Sequence, residues 1–269
     1  MAPSLSLVVA VYNKPEHLRF VLAACTRQSM KEFEVIIADD GSGPAIKSVI
    51  DEKKYPFPVT HLWHADNGWR KNTILNKAIL AASSDYLVFI DGDCLPSEHF
   101  MRDHWNERKE KTTLLGRRVE MSERWAEALT LDAITSGVFE KYGWGEWMDG
   151  FKGDALRLED GIRMPGRLLR RLLLRNVRGM LGSNFSIAKS DMVAINGFDE
   201  LYDGPGCGED SDVQYRLSLV GVKGKSLRNL AIQYHIHHPL TKTSQKCWDR
   251  FEMVKKKGEA RCEVGLLKF

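Results

Sequence analysis

The sequence contains no apolar run approaching the roughly 20 residues that cross a bilayer, and its N-terminus lacks a basic region followed by a cleavable apolar segment. Both absences predict a chain that stays in the cytoplasm. There is no CxxC pair: the five cysteines, Cys25, Cys94, Cys207, Cys247 and Cys262, are odd in number and far apart. That predicts reduced thiols rather than a disulfide framework or a zinc ribbon. Internal repeats, low-complexity tracts and flexible linkers are also missing. What is present, 269 residues of which 43% are hydrophobic and 28% charged, is material for one shared core and excludes disorder, collagen or coiled coil as a description of the whole.

A large net charge is missing as well, yet the formal +3 is unevenly spread. Residues 163–178 hold six arginines and no acid, and residues 240–269 hold eight basic and four acidic side chains. Without those two segments the remainder carries −7. The stretch 166–180 sets leucines against arginines at helical spacing. It reads either as a basic amphipathic helix lying on an anionic membrane surface or as a core-packed helix with a solvated basic side. Charge alone would also allow nucleic acid, but no stacking-aromatic motif accompanies it, so none is expected.

The first hundred residues alternate apolar runs (5–11, 35–38, 59–63, 86–90) with helical patterns (16–28, 70–82). This β-α-β-α order predicts an α/β fold with a parallel sheet, in which ligands bind at the carboxyl ends of the strands. Those ends carry Tyr12-Asn13, Asp39-Asp40, Asp66 and Asp91-Gly92-Asp93. Turn formation accounts for any one of them, but poorly for all four. Asp91 and Asp93 directly follow a buried run, with Gly92 allowing close approach, and are hard oxygen ligands of the kind that suit Mg²⁺ or Mn²⁺ beside substrate phosphates. Later in the chain come Gly208-Glu209-Asp210-Ser211-Asp212 before a helical pattern, and a strand over 230–234 running into His235-Ile236-His237-His238. The loop 204–208 has GxGxG spacing but leads into acids that would repel a pyrophosphate, so it reads as a loop folding over a bound ligand.

This order of motifs resembles the inverting nucleotide-sugar glycosyltransferases of family 2, which have the GT-A fold. The resemblance runs from about residue 5 to residue 239. It rests on Val8-Val9-Ala10-Val11-Tyr12-Asn13, Asp39-Asp40-Gly41-Ser42, Asp66-x-Gly68-x-Arg70-Lys71 with Asn76, Asp91-Gly92-Asp93, Gly197-Phe198-Asp199-Glu200 and Gly208-Glu209-Asp210-x-Asp212. Within the family the chain is most similar to the galactosyl- and N-acetylgalactosaminyltransferase branch, which includes polysaccharide-chain synthases. The resemblance implies a single Rossmann-like, mixed but mainly parallel sheet flanked by helices. Residues 1–95 would form its nucleotide-sugar-binding half, 96–239 its acceptor-binding and catalytic half, and 240–269 a basic tail.

The resemblance also implies roles. Val11, Tyr12 and Asn13 would line the donor, Tyr12 beside the nucleobase and Asp40 accepting a base N–H, a pairing that suits uracil without excluding guanine or thymine. Asp66, Arg70 and Lys71 would approach the base or diphosphate. Asp91, with Gly92, would touch the ribose or a metal-bound water, while Asp93 would hold Mn²⁺ or Mg²⁺ with one histidine, His235 ahead of His238. Asp210 would be the general base, and Glu209 and Asp212 would orient the acceptor or stabilise the following helix. Trp144 and Trp147 stand where acceptor-site aromatics are expected, with core packing as the alternative. The implied activity is transfer of a hexose or N-acetylhexosamine, with inversion, from a nucleoside diphosphate donor such as a UDP-sugar. The acceptor would be a hydroxyl of a cell-surface glycan or lipid-linked saccharide, reached at the inner face of the cytoplasmic membrane. The rivals are a sugar-nucleotide-binding protein without transfer activity and a sugar-nucleotide nucleotidyltransferase. The latter's glycine-rich basic loop is replaced here by Val11-Tyr12-Asn13-Lys14-Pro15.

Overall fold

The computed structural model describes residues 3–52, 54–166, 170, 179–204, 206, 208–239 and 245–267. Leu5–Val11 (β1), Phe33–Asp39 (β2), Val59–Trp63 (β3) and Tyr86–Asp91 (β4) lie parallel in the order β3-β2-β1-β4, with Val8 opposite Ile36 on one side and Phe89 on the other. The continuous apolar runs of the three inner strands are explained by burial on both faces. Alternate residues go to opposite sides, as a pleated strand requires. Leu7, Val9, Val35, Ile37 and Val88 join the core beneath α1 (Pro15–Thr26) and α2 (Pro44–Asp51), while Val8, Ile36, Leu87 and Phe89 meet Ile74, Ala78 and Ile79 of α3 (Lys71–Ala81).

The second half extends this sheet rather than building another core. In chain order it contributes Cys94–Pro96 (β5), Phe100–Glu107 (α4), Thr112–Leu115 (β6), Arg118–Glu120 (β7), Glu123–Glu127 (α5), Leu131–Ser136 (α6), Trp144–Lys152 (α7), Phe185–Ala188 (β8), Lys189–Ala194 (α8), Glu209–Leu219 (α9), Lys223–Ser226 (β9), Gln233–His235 (β10) and Gln245–Lys257 (α10). β8 pairs antiparallel with β4 and with β6, and β6 is parallel to β9, which completes a seven-stranded sheet. A small second sheet, β5-β10-β7, stands at its carboxyl edge. Asn184, fully buried, ties the two together: its side-chain amide donates to Arg117 O (2.7 Å) and Ala231 O (3.0 Å).

Three expectations change, and a fourth falls largely outside the described residues. The last strand is Gln233–His235, not 230–234, because Asn229 and Ala231 adopt positive φ and keep that stretch in a turn. The helix expected from residue 213 begins at Glu209, since carboxylates are favourable at a helix N-terminus. Cys25, Cys94 and Cys262 are free thiols, but Cys247 is in a disulfide. The basic stretch 166–180 falls largely outside the described residues. Where arginines of that region are described they turn inward: Arg163 pairs with Asp103 (2.6 Å) and Arg170 with Glu107 (3.1 Å), both acids on α4. Among the described residues no helix is long and apolar enough to cross a membrane.

Candidate active site

A cleft of about 680 Å³ opens at the carboxyl edge, where β1, β2 and β4 end and the small sheet and α9 face them. Val11, Tyr12, Asn13, Asp40, Lys71, Asp91, Gly92, Asp93, Glu209, Asp210 and His235, all expected at a site, line it. On its first wall the Asp39-Asp40-Gly41-Ser42 turn divides its labour. Asp39 is fully buried and structural, accepting from Ser42 N–H (2.8 Å) and meeting His61 Nε2 (2.9 Å). Asp40 reaches the cleft, its two oxygens steadied by His64 Nε2 (2.7 Å) and Arg70 N–H (2.9 Å). Gly41 is required there: its φ is +91°, and a Cβ would lie 2.6 Å from Asp66 Cα.

Asp66 and Arg70 support this wall without lining the cleft. The Asp66 carboxylate accepts from Tyr12 OH (3.0 Å), and Arg70 contributes its backbone N–H to Asp40. Of the two cations expected there, Arg70 and Lys71, it is Lys71 whose side chain enters, bound to Asp91 Oδ1 at 2.6 Å. Trp144 and Trp147 lie on α7 and do not line the cleft; Trp144 is 78% exposed, and Trp147 packs edge-on against Tyr142. Asp212 points away into the protein, where its carboxylate grips the buried Arg216 at 2.6 Å. It braces α9 from within and does not line the cleft.

At the floor, donor atoms of Asp93, His235 and His238 lie within 4.8 Å of one another. Asp93 Oδ1 is 3.6 Å from His235 Nε2, and Oδ2 is 3.1 Å from His238 Nε2 and 3.2 Å from Lys14 Nζ. Burial alone would raise the Asp93 carboxyl; His238, His235 and Lys14 outweigh it and hold it well below the usual carboxylate range. Each histidine spends Nδ1 on an acceptor, Glu120 Oε2 for His235 (2.6 Å) and Pro239 O for His238 (2.9 Å). Since a carbonyl or ionised carboxylate can only accept, Nδ1 carries the hydrogen, and Nε2, which faces the ionised Asp93 as a donor while no cation is bound, is the nitrogen whose lone pair would be free for a cation that displaces its proton. The donor set thus fits a divalent cation, with two histidines at Asp93 instead of one; His237 is exposed and outside the cluster.

Glu120, Arg118, Lys14, Trp69, Gly182 and Ser183 were missed by sequence reasoning. Arg118 holds Glu120 Oε1 at 2.8 Å. Burial would raise Glu120, but His235 and Arg118 bring it down to about 2. A carboxylate in this position predicts that Glu120→Ala lowers Mn²⁺ affinity about 10- to 100-fold, and that Glu120→Gln, which retains an acceptor, recovers part of the loss. Isothermal titration with Mn²⁺ checks this; equal affinities in all three proteins would remove Glu120 from the site.

On the far wall, Asp210 Oδ2 accepts from Gly182 N–H at 2.7 Å. Burial and the neighbouring Glu209 push the Asp210 carboxyl up to about 7, against the lowering pull of Lys71 and the Gly182 N–H. A carboxyl titrating there can take a proton near neutral pH.

Comparison with known proteins identifies the family and the fold. Residues 6–161 match the family profile described as glycosyl transferase family 2, and residues 174–239 match one described as the N-terminal domain of galactosyltransferase. Among curated relatives, the chondroitin synthase of Escherichia coli is 25% identical over 256 residues, covering 87% of this chain and 35% of that protein. The hyaluronan synthase of Pasteurella multocida is 25% identical over 255 residues, covering 87% of this chain and 25% of the synthase. The chain therefore spans about a third or less of these two relatives. Among solved structures, S. aureus TarS 1–349 in complex with UDP superposes with a TM-score of 0.61 at 15% identity, covering 99% of this chain and 68% of that one. The mannosyltransferase PcManGT from Pyrobaculum calidifontis, in complex with GDP-Man and Mn²⁺, gives 0.57 at 14% identity over 94% and 61%.

Proposed function

The chain belongs to glycosyl transferase family 2 and has the GT-A fold, and from that premise we propose that it transfers one sugar, with inversion, from a UDP-sugar to a saccharide hydroxyl. The observation that carries the proposal is one cleft faced by Tyr12 and Asp40 on one wall, Asp93, His235 and His238 on the floor, and Asp210 on the other wall. Tyr12 gives the base a flat ring and Asp40 gives it an acceptor. Lys71 and Lys14 offer cationic charge along the diphosphate path. Asp210 takes the proton of the acceptor hydroxyl as it attacks from the side opposite the leaving group.

A divalent cation held by Asp93, His235 and His238 would neutralise charge on the departing diphosphate, and with two imidazole nitrogens in the set we favour Mn²⁺ over Mg²⁺. The names of the relatives support a polysaccharide or lipid-linked saccharide as acceptor, and Trp144 is our proposed platform for its outer sugars. Incubation with a panel of UDP-, GDP- and dTDP-sugars plus Mn²⁺ tests the reading. UDP released from one UDP-sugar in step with a saccharide acceptor is the expected result. Release of pyrophosphate, or nucleotide binding without any turnover, would overturn it.

A further inference from the structure

Gly182 is a glycine for reasons of space. Its φ lies outside the left-handed region, so an ordinary residue could adopt the backbone; yet a Cβ there would stand 2.3 Å from Asp210 Oδ1, 2.9 Å from Cγ and 3.0 Å from Oδ2. Its N–H meanwhile donates to Oδ2 at 2.7 Å. The carboxylate therefore rests directly on the bare Cα, in a seat that any side chain would fill.

The seat is fastened to the helix that carries the carboxylate. Two residues back along the turn, Met180 N–H donates to Gln214 Oε1 at 2.7 Å. Asp210 and Gln214 are four apart on α9 and so share one face. Alternate N–H groups of the turn thus dock on two rungs of that face, which sets the height and rotation of α9. The other end of the turn is closed by Asn184 N–H to Leu181 O (3.0 Å), and the Asn184 side chain is locked between the two sheets.

On the reading of Asp210 as the base, we propose that the Gly182 turn is its positioning device. The bare Cα admits the carboxylate, and the N–H occupies Oδ2 so that Oδ1 is the oxygen presented to the acceptor hydroxyl. A displacement of about 1 Å in a reacting group can cost about 100-fold in rate. Gly182→Ala is accordingly expected to lower kcat about 100-fold while leaving UDP affinity and donor KM unchanged. Because the lost N–H bond favours the ionised carboxylate, the acidic limb of the kcat profile moves to higher pH, a readout that a merely structural role would not shift. If Gly182→Ala fails to bind UDP, Gln214→Leu, which keeps the glycine and frees the turn, takes its place with the same two readouts and a smaller drop in kcat. Wild-type kcat and pH limb in the variant that binds UDP, with Asp210→Asn inactive, overturns the positioning role alone. Wild-type kcat in Asp210→Asn overturns the base itself.

Discussion

Asp210→Asn is expected to lower kcat by about 1,000-fold, within the range that positioned general bases supply, while UDP binds as before. The substitution is close to isosteric, and the amide oxygen can still accept from the Gly182 N–H that now meets Oδ2, so geometry is kept and only proton affinity is lost. The wild-type pH profile carries the same information. With the carboxyl at about 7, raised by burial and then by Glu209, Asp210 is protonated and idle in acid. The rate should therefore fall about tenfold per pH unit below that value and level off above it. Removing the adjacent charge with Glu209→Gln should move the limb to lower pH, because a like charge raises a carboxyl and its loss lets it fall. Initial rates of UDP release between pH 5 and 9 decide the matter, and a variant that keeps the wild-type rate would end the assignment.

The strands at the centre of the sheet were legible because continuous burial imposes a continuous apolar run. The ends of β1, β3 and the start of β4 fall where the pattern puts them. The first wall of the cleft was legible for a related reason. Gly41 directly follows Asp39-Asp40 and Gly92 sits between Asp91 and Asp93, at strand ends where the backbone must turn back or approach closely, and only a few residue types tolerate that. The small sheet that carries the floor of the cleft was not. β5, β7 and β10 are three residues each, too short for a period-two signal to rise above chance. Glu120 meets His235 across 115 positions of sequence, and nothing in the local Arg-Val-Glu pattern announces it. Gly182 lacks the positive φ that makes other glycines conspicuous in turns. Arg163 and Arg170 were illegible for a different reason, since the count of basic side chains says nothing about the acids on α4 that receive them.

Asp93→Asn should cost the site both its cation and its turnover. Asp93 is where the second and first halves of the chain meet electrically: Lys14 follows β1, Asp93 follows β4, and His235 and His238 belong to the last strand and the turn after it. An amide in its place keeps the shape but removes the only carboxylate of the three-residue donor set. It also turns N–H donors toward imidazole nitrogens that need their lone pairs for a cation, and leaves Lys14 as unopposed positive charge beside them. Mn²⁺ affinity in the absence of nucleotide should therefore fall by more than about 100-fold, beyond the effect of losing the outer partner Glu120, and kcat should fall with it. The two losses are not independent, because Glu120 acts only by holding His235 toward Asp93. In the double variant with Glu120→Ala, the outer substitution should add almost nothing to Asp93→Asn, whereas additive losses would mean that the two carboxylates serve separate sites. Electron paramagnetic resonance of free Mn²⁺ reads the affinity directly. Chelation of the wild-type enzyme with EDTA should reproduce the rate loss and excess Mn²⁺ should reverse it; a rate indifferent to chelation would remove Asp93 from its role.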